Sequence, residues 1–472
     1  MKRFYLFSPV MLTTAILTFG YTFKEPTIRL APKRFLLANG LTVIAVEKHQ
    51  LPLIEGLFAV KSGALADPKG KEGVASLVCS TLLKGTLTQT GDEIGKAIDG
   101  TGGNLRVKVD WDTTQISFHV HKKEMPTLLN LLADLIQHPS FPSNEIDREK
   151  KLSLERIRQM DNDNWRTADR WFFRALYQGD RMAFLPEGEE ETISRIDRSD
   201  AEDFYRSHYT PQNSVLMLGG DLTEADLGPV QKSFGGWTGS RMTQRPGRSE
   251  VLRPSNKNLI WMVDKPDMSQ AQIRIGKQGL DRRNSDYFAA EVLNALFGGG
   301  FSSRLMEELR RKRGLTYGVS SQFEYLRTGG TFSIWTFASN PKVGEIIQLT
   351  LEEMRKISQE RLPEKEISAA KEYLLGVDAM LIESPADIEN RLLELELNGL
   401  SVDSLFSQRD IIKKLAAEDI QQVAKRFLRP EGNVIVVLGR RSDIEAQLQS
   451  LAGELAFFPY NEKIKYGIIP RE

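Results

Sequence analysis

The chain carries one cysteine, five histidines and no surplus of either charge: 63 basic and 63 acidic side chains leave a formal net charge of zero over 472 residues. Each scarcity excludes something. A lone thiol, Cys79, forms no intrachain disulfide, so the fold rests on packing and not on covalent staples. Zero net charge removes the excess of Lys and Arg that backbone-phosphate binding requires, and nucleic acid is not an expected partner. The Arg-containing stretch "GGWTGSRMTQRPGRSEVLRPSNKN" is accounted for by a solvated linker. A glycine triplet, Gly298, Gly299 and Gly300, is followed by no Gly-Lys-Ser/Thr, and no G-x-G-x-x-G fingerprint occurs. Taken alone, that triplet reads as a helix C-terminus and a tight turn.

What is present is ordinary globular material, 40% hydrophobic and 27% charged, in a length that suits about two to four domains. Only the N-terminus departs from it. Lys2 and Arg3 precede "FYLFSPVMLTTAILTFGYTF", an uncharged run with the layout of a secretory signal. Thr18-Phe19-Gly20 matches a small-residue cleavage site in part, and the run is also long enough to stay as an uncleaved anchor. No cysteine follows it, which excludes a lipoprotein anchor. Residues 1–23 are therefore read as a signal peptide or N-terminal membrane anchor, and the chain is expected to be exported, to the periplasm or cell envelope.

The rest repeats one plan twice. "FYRSHYTPQNSVLMLGGDLTEADL" (204–227) reappears as "VAKRFLRPEGNVIVVLGRRSDIEAQL" (423–448): helix, Pro-Asn turn, β-rich strand ending in Leu-Gly, helix. Upstream, "IEGLFAVKSGAL" pairs with "AQIRIGKQGL", and "GGNLRVKVDWDTTQISFHV" with "TYGVSSQFEYLRTGGTFSIWTF", in the same order. A long helical pattern follows each, "EMPTLLNLLADLI" and "VGEIIQLTLEEMRKI". The expected fold class is α+β, with two homologous domains, each a mostly antiparallel sheet packed with several helices. Their bounds are 29–235 and 259–455, joined by the linker 236–258.

In "KEGVASLVCSTLLKGT" (71–86), Val74, Ala75, Leu77, Val78, Cys79, Leu82 and Leu83 predict a helix apolar over most of its circumference, hence buried. Ser76, Cys79 and Ser80 fall at i, i+3 and i+4 and share one face. Two histidines one turn apart with a carboxylate between them would make a zinc site at this spacing. Here the residues are two alcohols and a thiol. For Cys79 to act as a nucleophile it needs a base, and no motif ties His49, His119, His121, His138 or His208 to it. His119 and His121 lie on one strand face, where ordinary exposed histidines are the simpler reading than a metal grip.

"EGVASLVCSTLLKGT" resembles the zinc-motif helix of the pitrilysin/insulinase (inverzincin) peptidases, whose pattern is H-x-x-E-H. On those flanks Ser76 stands at the first histidine, Cys79 at the catalytic glutamate and Ser80 at the second histidine. The family's third ligand lies in a segment similar to "REKKLSLERIRQMDND", which puts Arg156 at the ligand position with Glu155 beside it. The resemblance therefore implies no catalytic residue and no metal bound by this chain.

The second half resembles the family closely in "NALFGGGFSSRLMEELRRKRGLTYGVSS" (294–321). There the family places an Arg and, seven residues on, a Tyr that hold the substrate backbone and face developing oxyanion charge. Carried over, these are Arg310 and Tyr317, the substrate-binding residues expected here. A fixed cation and a phenol donor suit that task. The resemblance implies a non-catalytic, substrate-binding subunit of a heterodimeric zinc metalloendopeptidase. A paralogous partner bearing H-x-x-E-H would supply the zinc, and peptides or unfolded segments would bind extended along a sheet edge. The alternative is a catalytically dead scaffold or peptide-binding protein of the same fold.

Overall fold

The computed structural model describes residues 31–239, 256–380, 383–451 and 453–462. Residues 1–23, expected to be a signal peptide or anchor, and most of the expected linker lie outside the described residues. Among the described residues no helix is long and apolar enough to cross a membrane.

Alternation sets the sheets. In Thr114–His121 the side chains at 114, 116, 118 and 120 are buried and those at 117, 119 and 121 exposed, as a strand with one wet face requires. Ser214–Gly220 and Val434–Gly439 are instead buried at every position, as for strands covered on both faces. The first sheet comprises β1 (Lys33–Leu36), β2 (Thr42–Glu47), β3 (Leu53–Val60), β4 (Asn104–Val109), β5 (Thr114–His121) and β6 (Ser214–Gly220), in the order β1-β2-β6-β3-β5-β4. The second comprises β7 (Asn258–Asp264), β8 (Gln270–Gln278), β9 (Val319–Leu326), β10 (Gly329–Ser339), β11 (Val434–Gly439) and β12 (Gly453–Pro459), in the order β12-β7-β11-β8-β10-β9.

Five positions of the two orders correspond, which is the internal repeat in three dimensions. Antiparallel pairs predominate in both sheets, while β2–β6, β7–β11 and β7–β12 are parallel. The sixth strand breaks the symmetry. In the first sheet it is the N-terminal β1, antiparallel to β2; in the second it is the C-terminal β12, parallel to β7.

Each doubly covered strand borrows its second cover from the other half. The helix Asn164–Tyr177, from the first half, lies across β8 and β11, and the helix Pro385–Asn398, from the second half, lies across β3 and β6. Residues 32 to 472 accordingly form one unit. At the first crossing Trp171, Phe172 and Tyr177 pack with Trp261, Val436 and Phe458, and the rings of Trp171 and Phe458 sit 5.3 Å apart. The buried Arg274 of β8 donates from Nε to Asp169 Oδ1 at 2.6 Å and stacks its guanidinium 4.3 Å from the ring of Trp165. At the second crossing Glu396 receives Lys61 Nζ at 2.7 Å and Arg34 Nε at 3.3 Å.

Both crossings need a glycine beneath them. A Cβ on Gly276 would come 2.1 Å from the Phe332 carbonyl and 2.9 Å from the ring of Phe172; one on Gly219 would come 2.9 Å from Pro385 Cβ. The hairpin tips of the halves also meet, where Arg327 donates its backbone N–H to Asp112 Oδ2 at 2.8 Å and Nη1 to the Lys61 carbonyl at 2.9 Å. Nearby, burial and then Asp110, Asp112 and Asp169 push the Glu324 carboxyl up to about 7.

Two outcomes are expected. Gly276→Val lowers stability by about 3 kcal/mol, as overpacking beneath a seated helix does. Gly95→Ala, into open space on the helix Gly91–Gly100, does not destabilise, and thermal unfolding of the two variants makes the comparison. The second concerns Glu324, whose native pKa lies above its unfolded value, so the native state holds the extra proton and this group's contribution declines as pH rises towards 7. Glu324→Gln should therefore raise the melting temperature relative to wild type at pH 8 by more than at pH 5; an equal difference at both would contradict it.

Candidate functional site

The helix Val74–Leu82 begins after Gly73, whose φ of +99° turns the chain into it. Asp67 caps it, its carboxylate accepting the N–H groups of Gly73 at 2.6 Å and Ala75 at 2.9 Å. Val74, Ala75, Leu77, Val78, Cys79, Thr81 and Leu82 are all buried, as the apolar circumference requires. Its polar side chains do not converge on a common point. Ser76 donates its hydroxyl to the Pro186 carbonyl at 2.6 Å, and Ser80 donates to the Leu77 carbonyl of its own helix at 3.0 Å. Cys79 is 1% exposed, and burial pushes its thiol up to about 12.

Arg156 lies on the helix Ser143–Met160, and Nη2 reaches Glu149 Oε2 at 3.4 Å. Glu149 is buried and also takes Lys84 Nζ at 3.2 Å, just beyond the end of the Val74–Leu82 helix. The carboxylate near the expected third-ligand position is thus answered by two cations. Glu155 is exposed. Alcohols, a neutral thiol and a guanidinium do not fit a Zn²⁺ ion, which takes thiolate, imidazole or carboxylate. Among the described residues no three His, Cys, Asp or Glu side chains gather as a metal cluster.

The histidines have other engagements. His49 Nδ1 is 2.6 Å from Asp221 Oδ1, His138 Nδ1 is 3.0 Å from Asp134 Oδ1, and His208 Nδ1 is 3.1 Å from Ser62 Oγ. Burial, with Arg181 adding to it, pulls His208 down to about 4. His119 and His121 stand on the exposed face of β5, His119 opposite Glu55 of β3.

Arg310 and Tyr317 belong to one continuous segment of the second half. Arg310 sits in a π-helical run, Met306–Lys312, which packs on β9 and on the helix Val343–Gln359. Runs of this kind are rare and concentrate at functional places. Its guanidinium lies 5.1 Å from the ring of Phe301, and among the described residues no carboxylate pairs with it. Gly314, at φ +61°, donates to the Arg310 carbonyl at 3.0 Å and reverses the chain. Tyr317 follows and is 79% exposed. Its backbone is nevertheless clamped. Thr316 is buried and its Oγ1 receives the N–H of Gly318 at 3.1 Å, while Thr336 of β10 donates its hydroxyl to the Gly318 carbonyl at 2.9 Å. An unpaired cation and an exposed phenol on a fixed main chain can hold a peptide carbonyl or face a developing oxyanion. Sequence reasoning did not single out Thr316, Phe301 or Glu149, because their roles depend on partners distant in the chain or on exposure.

Two family models match the chain: Insulinase (Peptidase family M16) over residues 45–183, and Peptidase M16 inactive domain over residues 195–374. An uncharacterized zinc protease of Mycobacterium tuberculosis is 26% identical over 442 residues, spanning 91% of this chain and 98% of that protein. One of Bacillus subtilis is 22% identical over 414 residues, spanning 85% and 99%. Among solved structures, a peptidase M16 inactive domain from Pseudomonas fluorescens matches with a TM-score of 0.78 at 24% identity, covering 90% of this chain and 100% of that one. A protease from Helicobacter pylori also matches with a TM-score of 0.78, at 20% identity, covering 87% and 99%.

The buried, protonated thiol of Cys79 should resist iodoacetamide in the native protein at pH 8 and react only on unfolding, at the rate of unfolding. Mass spectrometry of the alkylated protein checks this; rapid native labelling would overturn the buried placement.

Proposed function

The chain belongs to the insulinase peptidase family, and from that premise we propose that it is the non-catalytic, substrate-binding subunit of a two-chain zinc endopeptidase of the cell envelope. The partner is a paralogous subunit bearing H-x-x-E-H, which holds the zinc and the base. Arg310 and Tyr317 of this chain complete the partner's site in trans.

One contrast carries the reading. The residues at the family's metal positions are spent on structure, with Ser76 and Ser80 bonded to carbonyls, Cys79 buried and Arg156 paired with Glu149. Arg310 and Tyr317 are not spent in that way: among the described residues no carboxylate takes the one, and the ring of the other faces solvent. A protein that served only as a scaffold would have no use for an exposed phenol whose backbone is clamped on both sides. The substrate is an extended peptide or unfolded segment, and β9, the edge strand that begins two residues after Tyr317, offers main-chain groups for pairing. The chemistry at the scissile bond is the partner's. This chain's part is to fix the peptide backbone and to place a cation and a phenol where negative charge grows.

The isolated chain should carry no stoichiometric zinc by metal analysis and should leave a fluorogenic peptide uncut. Mixed with its H-x-x-E-H partner it should restore turnover. Arg310→Ala and Tyr317→Phe should each lower kcat of the complex by about 10²-fold while the two chains still co-elute. One zinc per isolated chain would sink the proposal. Undiminished turnover in both variants would favour the scaffold alternative.

A further inference from the structure

We propose that the cavity beside Arg310 is a specificity subsite, one that takes an uncharged apolar side chain of leucine or phenylalanine size from the peptide that Arg310 holds. The inference rests on the reading of Arg310 as a backbone-holding residue.

The cavity measures about 630 Å³ and lies between the turn at 300–303, the Met306–Lys312 run and the helix Glu364–Met380. That volume lies within the range of ordinary ligand pockets. Both helical runs that flank the turn, Ala295–Gly299 and Met306–Lys312, are π-helical. In the first half the corresponding helices, Val74–Leu82 and Gly91–Gly100, are plain α-helices. The walls of this cavity are thus one of the places where the second half departs from the first.

Three features define what fits. The charges on the walls are matched: Arg304 with Glu366 at 2.6 Å, Lys312 with Glu308 at 3.1 Å and Lys356 with Glu353 at 2.8 Å. With these charges already answered inside the protein, a ligand charge gains little net attraction here, and an uncharged group leaves the pairs as they are. At the mouth two aromatic rings face solvent, Phe301 at 63% and Tyr373 at 47% exposure. The ring of Tyr373 lies against Gly300, where a Cβ would sit 3.6 Å from it. Solvent-facing rings at the mouth of a cavity mark a place for apolar contact.

The third feature is Ser303. It is 2% exposed, lines the cavity and has no hydrogen-bond partner for its hydroxyl among the described residues. It stands at the start of the helical residues 304–312, where a serine ordinarily caps, yet it caps nothing. Buried hydroxyls are normally satisfied, and a change of rotamer at Ser303 would offer this one to a main-chain group of the entering peptide. Continuity with Arg310 comes through Phe301, whose ring has the guanidinium of Arg310 at 5.1 Å and that of Arg311 at 5.1 Å. A peptide drawn across Arg310 passes that ring and turns its next side chain into the cavity.

The test uses the full chain and two fluorescein-labelled dodecapeptides of Gly, Ser and Gln, one with a central Leu-Phe and one with Ser-Ser there. Fluorescence anisotropy should give the Leu-Phe peptide a Kd about tenfold lower. Ala369→Trp, at an exposed position of the cavity wall, should abolish that preference and leave the Ser-Ser peptide's affinity unchanged. Phe301→Ser provides a second variant, at a side chain that is itself 63% exposed, and it should also reduce the preference. Arg310→Ala should weaken both peptides by the same factor. Equal binding of the two peptides by wild type, no binding of either, or a preference that survives both wall variants would overturn the subsite. Failure of the backbone-holding reading looks different: Arg310→Ala would leave both affinities unchanged while Ala369→Trp still abolished the preference.

Discussion

Two strands that tolerate water on neither face decide the architecture. β6, Ser-Val-Leu-Met-Leu-Gly-Gly, and β11, Val-Ile-Val-Val-Leu-Gly, are buried throughout, and each half covers only one side of its own. The second side is covered by a helix crossing over from the other half, Asn164–Tyr177 onto β11 and Pro385–Asn398 onto β6. Apolar burial of this size is the main favourable term in folding, so neither half retains its sheet face if the other leaves. The two homologous halves are thus not independent domains on a tether. They form one compact unit that carries both the Val74–Leu82 helix and the segment with Arg310 and Tyr317.

The degenerate site also has its own electrostatic logic. A metal site holds carboxylates in place by the ion's charge, and a chain without the ion must neutralise any carboxylate it leaves buried. Glu149 is such a carboxylate, and Lys84 and Arg156 flank it at 3.2 and 3.4 Å. Arg156 at the expected ligand position therefore has a structural reason to be there: it supplies charge to the group that remains. Ser76 and Ser80 are small enough for the helix to keep its packing and find carbonyls within reach. Cys79 behaves as one more apolar residue.

How far the sequence carried this is clearest in particular segments. The doubled helix-turn-strand pattern at 204–227 and 423–448, with its upstream matches, predicted two homologous halves with a sheet in each, because strand alternation and Pro-Asn turns are local signals, while the strand order comes from the structure. The burial of the Val74–Leu82 helix was legible for the same reason. Sequence position alone did not reveal that β1 and β12 occupy the sixth place from opposite ends, since pairing partners are chosen in three dimensions. Nor did it reveal the helix exchange, the Glu149–Arg156 pair or the π-helical walls. Nothing in the sequence singled out Ser303, whose hydroxyl has no partner among the described residues.

The two halves share a plan and have diverged in what they do with polar groups. In the first, the side chains at the site face inward and are satisfied by the protein. In the second, Tyr317 points outward while the main chain on either side is bound: Thr316 and Thr336 hold Gly318, and Gly314 closes the helix that carries Arg310. Fixing the backbone and freeing the side chain removes most of the ordering cost of binding before any ligand arrives. A donor aimed at developing charge is effective only if it does not have to reorganise to meet it. An exposed tyrosine on a mobile loop would have neither property, whereas one on a clamped turn has both, and this is the physical ground of the role proposed for Tyr317.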